Sequence, residues 1–236
     1  AALTSFTNTI NTSLDGAFLF SGINADVKPL TDYNATPTAA NKQAVADAFL
    51  AAFGTTPDDP ANVNISDVDM QAFLDGPFSD LFEDPAWTTN WSAASDQNVK
   101  SRISTSELVE TSTNSNDIGV RKLAKAYAMI ADLGLENLNE NAYKAVVDNA
   151  TRVAGEAVQN VANEQARLGI AQERVKNAND RMSIQIDIMT NHISLLEGVD
   201  PYEASTRVSA LMTQVETAYA MTARIQNLSL LKYLPL

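Results

Sequence analysis

The chain has 236 residues, with 16 basic against 29 acidic side chains and a formal net charge of −13, so nucleic acid or any other polyanion is repelled over most of its surface. It contains no cysteine and a single histidine, His192, which removes disulfides, thiolate metal sites, thiol nucleophiles and two-histidine mechanisms. No apolar run approaches the ~20 residues of a membrane span, and no basic stretch followed by an apolar one opens the chain as a secretory signal would.

In chain order, Leu3, Phe6, Ile10 and Leu14 recur every three or four residues and predict a helix over 1–16 stopped by Gly16. Phe18 to Asn24 reads as an apolar turn leading into an extended segment through Lys28-Pro29. Between Lys42 and Lys100 stand ten carboxylates and no lysine or arginine, together with Pro57, Pro60, Pro77, Pro85, Trp87 and Trp91. This stretch reads as a compact inserted domain with short helices at Asn41–Phe53 and Val68–Leu74. Val99 to Val109, rich in serine and threonine, predicts one or two exposed strands. A helix over Asp117–Leu133 follows, with Val120, Leu123, Ala124, Tyr127 and Ile130 inward and Gly134 as its stop.

From about Asn141 to Leu196 a seam alternates steps of four and three: Tyr143, Val147, Ala150, Ala154, Ala157, Val161, Leu168, Ala171, Val175, Ala178, Met182, Ile186, Met189, Ile193 and Leu196. One seam position is lost after Val161, and the step from Met182 to Ile186 is a stutter. A helix of about 56 residues is about 84 Å long, more than one globular core can bury. Val147, Val161, Leu168, Val175, Met182, Ile186, Met189 and Ile193 are the expected rod core. Gly198 is expected as a left-handed cap, and Asp200-Pro201-Tyr202-Glu203 as the start of a last helix. That helix carries Val208, Leu211, Val215, Ala218, Thr222, Ile225, Leu228 and Leu231 on one stripe and ends in an apolar tail through Leu234 and Leu236. Leu211, Val215, Ile225, Leu228, Leu231 and Leu234 form the expected assembly interface, because an apolar helical terminus requires a partner.

Other chemistry finds weaker footing. Asp67, Asp69 and Asp75-Gly76 depart from a calcium loop at the third ligand, where Gln71 stands, and lack the closing glutamate. Trp87 and Trp91 could stack on a sugar, but the favoured reading places them in the core of the small acidic domain. Carboxylate catalysis would fall to Asp67 with Asp69 or Asp58 with Asp59, none in a recognisable motif. No G-x-G-x-x-G or P-loop occurs, so no nucleotide cofactor is expected. No catalytic, cofactor or metal residues are assigned.

The fold expected is mainly α: an elongated rod of long antiparallel coiled-coil-like helices with a small inserted α+β domain. Residues 1–36 supply the N-terminal part of the rod, 37–111 the acidic insertion, 112–198 the return with the long helix, and 199–236 the assembly helix.

Two stretches carry a family resemblance. Thr4 to Tyr33 holds Asn11-Thr12-Ser13 ahead of Gly16 and then Phe18-Leu19-Phe20-Ser21-Gly22-Ile23-Asn24. The C-terminal stretch holds Arg174-Val175-x-Asn177-Ala178-Asn179, Leu195-x-Glu197-Gly198-Val199-Asp200-Pro201-Tyr202-Glu203-Ala204 and Leu228-Ser229-Leu230-Leu231-Lys232-Tyr233-Leu234. Together these resemble the rod and terminal helices of the flagellin family over roughly residues 1–35 and 112–236. The small insertion and the run Gly198 to Thr206 are more similar to the hook-associated protein type 3 class, at the hook-filament junction, than to an abundant filament flagellin. The resemblance implies a structural role without catalysis or cofactor, an extracellular place in the flagellum and export by the flagellar type III apparatus. Its implied partners are flagellin, other hook-associated proteins, further copies of the chain and an export chaperone, with no nucleic acid or membrane. Members of the family begin with a longer N-terminal helix that pairs with the last helix, so the chain is expected to be truncated there and to lack that partner.

Overall fold

The computed structural model describes residues 1–227, and it is mainly helical. The chain divides into two compact units, residues 1–179 and 180–236.

In the first unit, α1 (Ala2–Ile10) buries Leu3, Thr7 and Ile10 on one face. It stops short of the predicted Gly16 because the Asn11 side chain is drawn away. Its Nδ2 donates to the Leu30 carbonyl at 2.9 Å and its Oδ1 accepts from the Leu30 amide at 2.8 Å, the pair of bonds a neighbouring strand would make. Asp15 and Gly16 then turn at φ 51° and 85°, as a two-residue hairpin requires, between β1 (Ser13–Leu14) and β2 (Ala17–Phe18).

The acidic stretch forms α2 (Ala40–Phe53), a 3-10 turn (Pro60–Asn64), α3 (Asp67–Asp75), α4 (Pro77–Asp80) and α5 (Ala86–Asn90). An antiparallel hairpin of β3 (Lys100–Arg102) and β4 (Leu108–Glu110) follows, with Ser101 opposite Val109. Then come α6 (Ile118–Asp132) and α7 (Glu140–Glu197), the latter 58 residues long. Asp117 caps α6 by accepting from the Gly119 amide at 2.8 Å. Asn139 both starts α7, accepting from Ala142 N at 2.9 Å, and ties it to the acidic stretch by donating to the carbonyls of Val63 and Ile65.

The acidic stretch has no core separate from its surroundings. Its short helices each present a face too small to enclose, so they share one cluster with α1, α6 and the first turns of α7. Phe49, Met70, Phe73, Phe78, Phe82 and Trp87 meet Ala124, Met129, Val146 and Val153 there. Trp87 and Trp91 are buried and stacked at 5.6 Å, with Trp87 Nε1 donating to Asn116 Oδ1 at 2.9 Å. Buried this way, they present no open platform to a sugar.

The first turns of α7 run antiparallel to α6. Lys122 reaches Glu156 at 2.7 Å, and a Cβ on Gly119 would stand only 3.0 Å from Val161 Cγ2. Ile130, expected inward on α6, is 49% exposed. A smaller cluster of Ile103, Val109, Ala171 and Ala178, with Val175 against it, lays the β3-β4 hairpin on α7. Arg167 pins it, donating to Glu110 Oε2 at 2.8 Å while pairing with Glu164. The Arg167 guanidinium holds the Glu164 carboxyl below the ordinary glutamate range.

The second unit contains the last turns of α7 and, after a short break, α8 (Pro201–Asn227). Gly198 is not left-handed, as the cap prediction required. Its amide donates to the Ser194 carbonyl at 2.8 Å and prolongs the helical hydrogen bonding. Asp200 does cap the next helix, accepting from the Tyr202 amide at 2.8 Å, with Pro201 at the first helical position.

Candidate assembly surface

On α7 the buried positions are Ala142, Val146, Asn149, Ala150, Val153, Ala157, Ala171 and Ala178. They are mostly small, which lets α6 and the hairpin approach closely. Beyond Ala178 the side chains change size and lose their cover. Met182, Ile186, Met189 and Ile193 are 46%, 62%, 68% and 55% exposed. At 3.6 residues per turn these four and Leu196 fall within an arc of about 80°, a continuous apolar stripe. Ile184, Ile188 and Leu195, also exposed, lie in a second, narrower arc on the far side of the same turns.

In α8 no residue is buried. Val208, Leu211, Val215 and Ile225 share one face with Ala218 and Thr222, flanked by Met212 and Tyr219, and the six large side chains are all more than half exposed. Full burial of one such residue stabilises by roughly 1.5–3 kcal/mol. A matching helix laid along either stripe therefore gains several times that, less the cost of association. Charge does not oppose it, since none of the residues named on the stripes is an acid or base charged at neutral pH.

These placements revise the expected rod core. Val147 is half-buried while Val146 is fully buried. The buried face coincides with the predicted seam at Ala150, Ala157, Ala171 and Ala178 and lies one residue from it at Ala142, Val146 and Val153. Val161 is 41% exposed, and Leu168 and Val175 are half-buried. Met182, Ile186, Met189 and Ile193 belong to no core of this chain among the described residues. Of the expected assembly residues, Leu211, Val215 and Ile225 line the exposed face of α8; Leu228, Leu231 and Leu234 lie outside the described residues.

The other candidates resolve into local structure. Ser66 Oγ accepts from the Asp69 amide at 3.1 Å and donates to Asp69 Oδ2 at 2.7 Å, so Asp67 and Asp69 occupy the acidic first turn of a capped helix. Asp59 caps the 3-10 turn through the Ala61 amide at 2.8 Å. His192 is exposed on α7. Among the described residues no group of three metal-ligating side chains gathers, and no helix is long and apolar enough to cross a membrane. Of the asparagine pins, Asn116 and Asn139 carry no expectation from the sequence, and Asn11 enters it only within the run Asn11-Thr12-Ser13, not as a tie to Leu30. For Asn139 the signal was present, a side-chain acceptor standing just ahead of a helical period.

Residues 151–234 match the family model described as the bacterial flagellin C-terminal helical region. The match takes in just over a third of the chain, including both exposed stripes, and supports the flagellin family. Comparison with curated proteins and with solved structures gives no match.

Proposed function

We propose, from a flagellin-type C-terminal helical region as premise, that the protein is a structural subunit of the bacterial flagellum outside the cell, assembling through its terminal helices to join hook to filament. The observation that carries the reading is the exposed apolar stripe continuing from Met182 through Ile193 on α7 and again from Val208 through Ile225 on α8. An exposed apolar helical stripe of this size marks a surface that partner helices cover. The partners are neighbouring copies, flagellin and other hook-associated proteins, with an export chaperone shielding the C-terminal stripe before assembly.

The choice of junction over filament rests on the small size of the acidic segment and on the run Gly198 to Thr206. The matched region accommodates equally a second reading, a filament flagellin that self-polymerises. Electron microscopy of cells lacking the gene, with assay of flagellin in the medium, separates the two. Bare hooks with flagellin shed into the medium establish joining. Loss of filaments without shedding, or intact filaments, overturns it in favour of a flagellin role.

A further inference from the structure

Where α6 packs on α7, Arg121, Lys122, Lys125 and Arg152 line a cavity of about 130 Å³ that also holds Ser79, room for several waters. Against these four cations the lining sets only Glu83 and Glu156, leaving it at +2 within a chain that carries −13.

Two of the cations are committed. Arg121 donates Nε to the Asn116 carbonyl at 2.8 Å, pairs with Asp84 at 2.9 Å, and lies over the Trp87 ring. Lys122 is paired with Glu156 at 2.7 Å. Arg152 spends one guanidinium nitrogen on Glu156 at 2.6 Å and another on Asn149 Oδ1 at 3.2 Å, which leaves donors free of its five.

Lys125 differs from them all. It makes no ion pair among the described residues, and of its three donors one is used, on Ser79 Oγ at 2.8 Å. It is half-buried. Burial first, and then the Arg152 charge, lower its pKa from the ordinary lysine value. The Asp75, Glu83 and Glu156 charges act the other way, but Glu156 is already shared between Lys122 and Arg152, so the partly desolvated Lys125 ammonium beside Arg152 is stabilised by a further anion that bonds it directly.

We propose that Lys125 and Arg152, with Ser79, form a binding site for an oxyanion of the carboxylate or phosphate class. Such a group accepts from the spare ammonium and guanidinium donors and relieves their repulsion. It has two possible sources: free inorganic oxyanion, or an acidic side chain from the lysine- and arginine-free stretch between residues 43 and 99 of a second copy.

The test uses the full chain at constant ionic strength, titrated with inorganic phosphate against a chloride control, with thermal unfolding and calorimetry as readouts. A free oxyanion gives a saturable rise in Tm with phosphate alone, lost in K125M and retained in K125R. A second-copy carboxylate instead gives self-association that K125M weakens about tenfold and phosphate competes away. If K125M does not fold, S79A keeps both charges and weakens the same response. The proposal is overturned if phosphate stabilises no more than chloride and the variant associates as the parent chain does. The phosphate arm reads the isolated chain, so its failure is distinct from failure of the assembly role.

Discussion

The two parts of α7 are built from one continuous helix and behave as different materials. Up to Ala178 its buried face is alanine and valine, covered by α6 and then by the β3-β4 hairpin. From Met182 onward the stripe is isoleucine and methionine, and it is exposed. Small residues serve a contact already made within the chain, where backbones approach closely. Under the proposed function, the large apolar residues serve a contact still to be made, where each added methylene buried contributes about 0.8 kcal/mol. The exposed stripe is therefore read as an interface and not as a defect of the fold.

Breaking the covered side gives the largest effects. Trp87 is fully buried in the aromatic cluster, and Trp87→Ala is expected to cost about 3–5 kcal/mol in denaturant unfolding. Gly134 holds φ 59°, and a Cβ there would collide with the Pro57 carbonyl. Gly134→Ala is expected to cost roughly 2 kcal/mol or more in the same measurement, the left-handed backbone alone accounting for about 1–2 kcal/mol.

Acid separates the hairpin from the rest of the covered side. Salt-bridge hydrogen bonds from Arg167 hold the Glu164 pKa low, and those from Lys122 and then Arg152 do the same for Glu156. A depressed carboxylate pKa contributes stability that is present above the unfolded value, about 4.3 for glutamate, and is lost as pH falls through the folded one. Asp117 has the opposite sign, because burial raises its pKa and its contribution grows as pH falls. Hydrogen exchange at residues 100–110 is expected to quicken as pH falls below about 4, relative to the intrinsic rate, while the amides around Trp87 stay protected.

The smallest effect on stability belongs to the exposed side, and that is its signature. Ile186→Ser and Ile225→Ser are expected to leave the unfolding free energy within about 0.5 kcal/mol and yet to impair assembly in sedimentation or electron microscopy. A loss of several kcal/mol would mean that these side chains are already buried within the chain.

Much of this was legible in the sequence. The 4-3 alternation located α7 to within a residue or two at each end, and Asp117 and Gly134 bracketed α6. The absence of any basic residue between Lys42 and Lys100 marked the acidic segment. What periodicity could not supply was the direction of a face that depends on a partner's approach. Val146 rather than Val147 is fully buried because it faces the cluster that the acidic stretch shares with α6. Nor could it foresee α1 ending at Ile10, since that depends on Asn11 meeting Leu30 across a turn. The acidic segment looked like a separate domain because its composition changes abruptly, but composition does not reveal that its aromatic residues share a core with α6 and α7. Of the cation cluster, Arg121, Lys122 and Lys125 are close in sequence, whereas Arg152 joins them only through the antiparallel crossing.

The absence of cysteine from the chain makes the central claim directly measurable, because any single introduced thiol is unique. Met189→Cys and Val215→Cys on the exposed stripes are to be compared with Ala157→Cys, at a fully buried position, for their rates of modification by a soluble thiol reagent, before and after assembly. The account predicts fast labelling at 189 and 215 in the isolated chain, protection of both on assembly, and protection at 157 throughout. Labelling at 189 and 215 that is already slow in the isolated chain, or that stays fast in the assembled one, would contradict it.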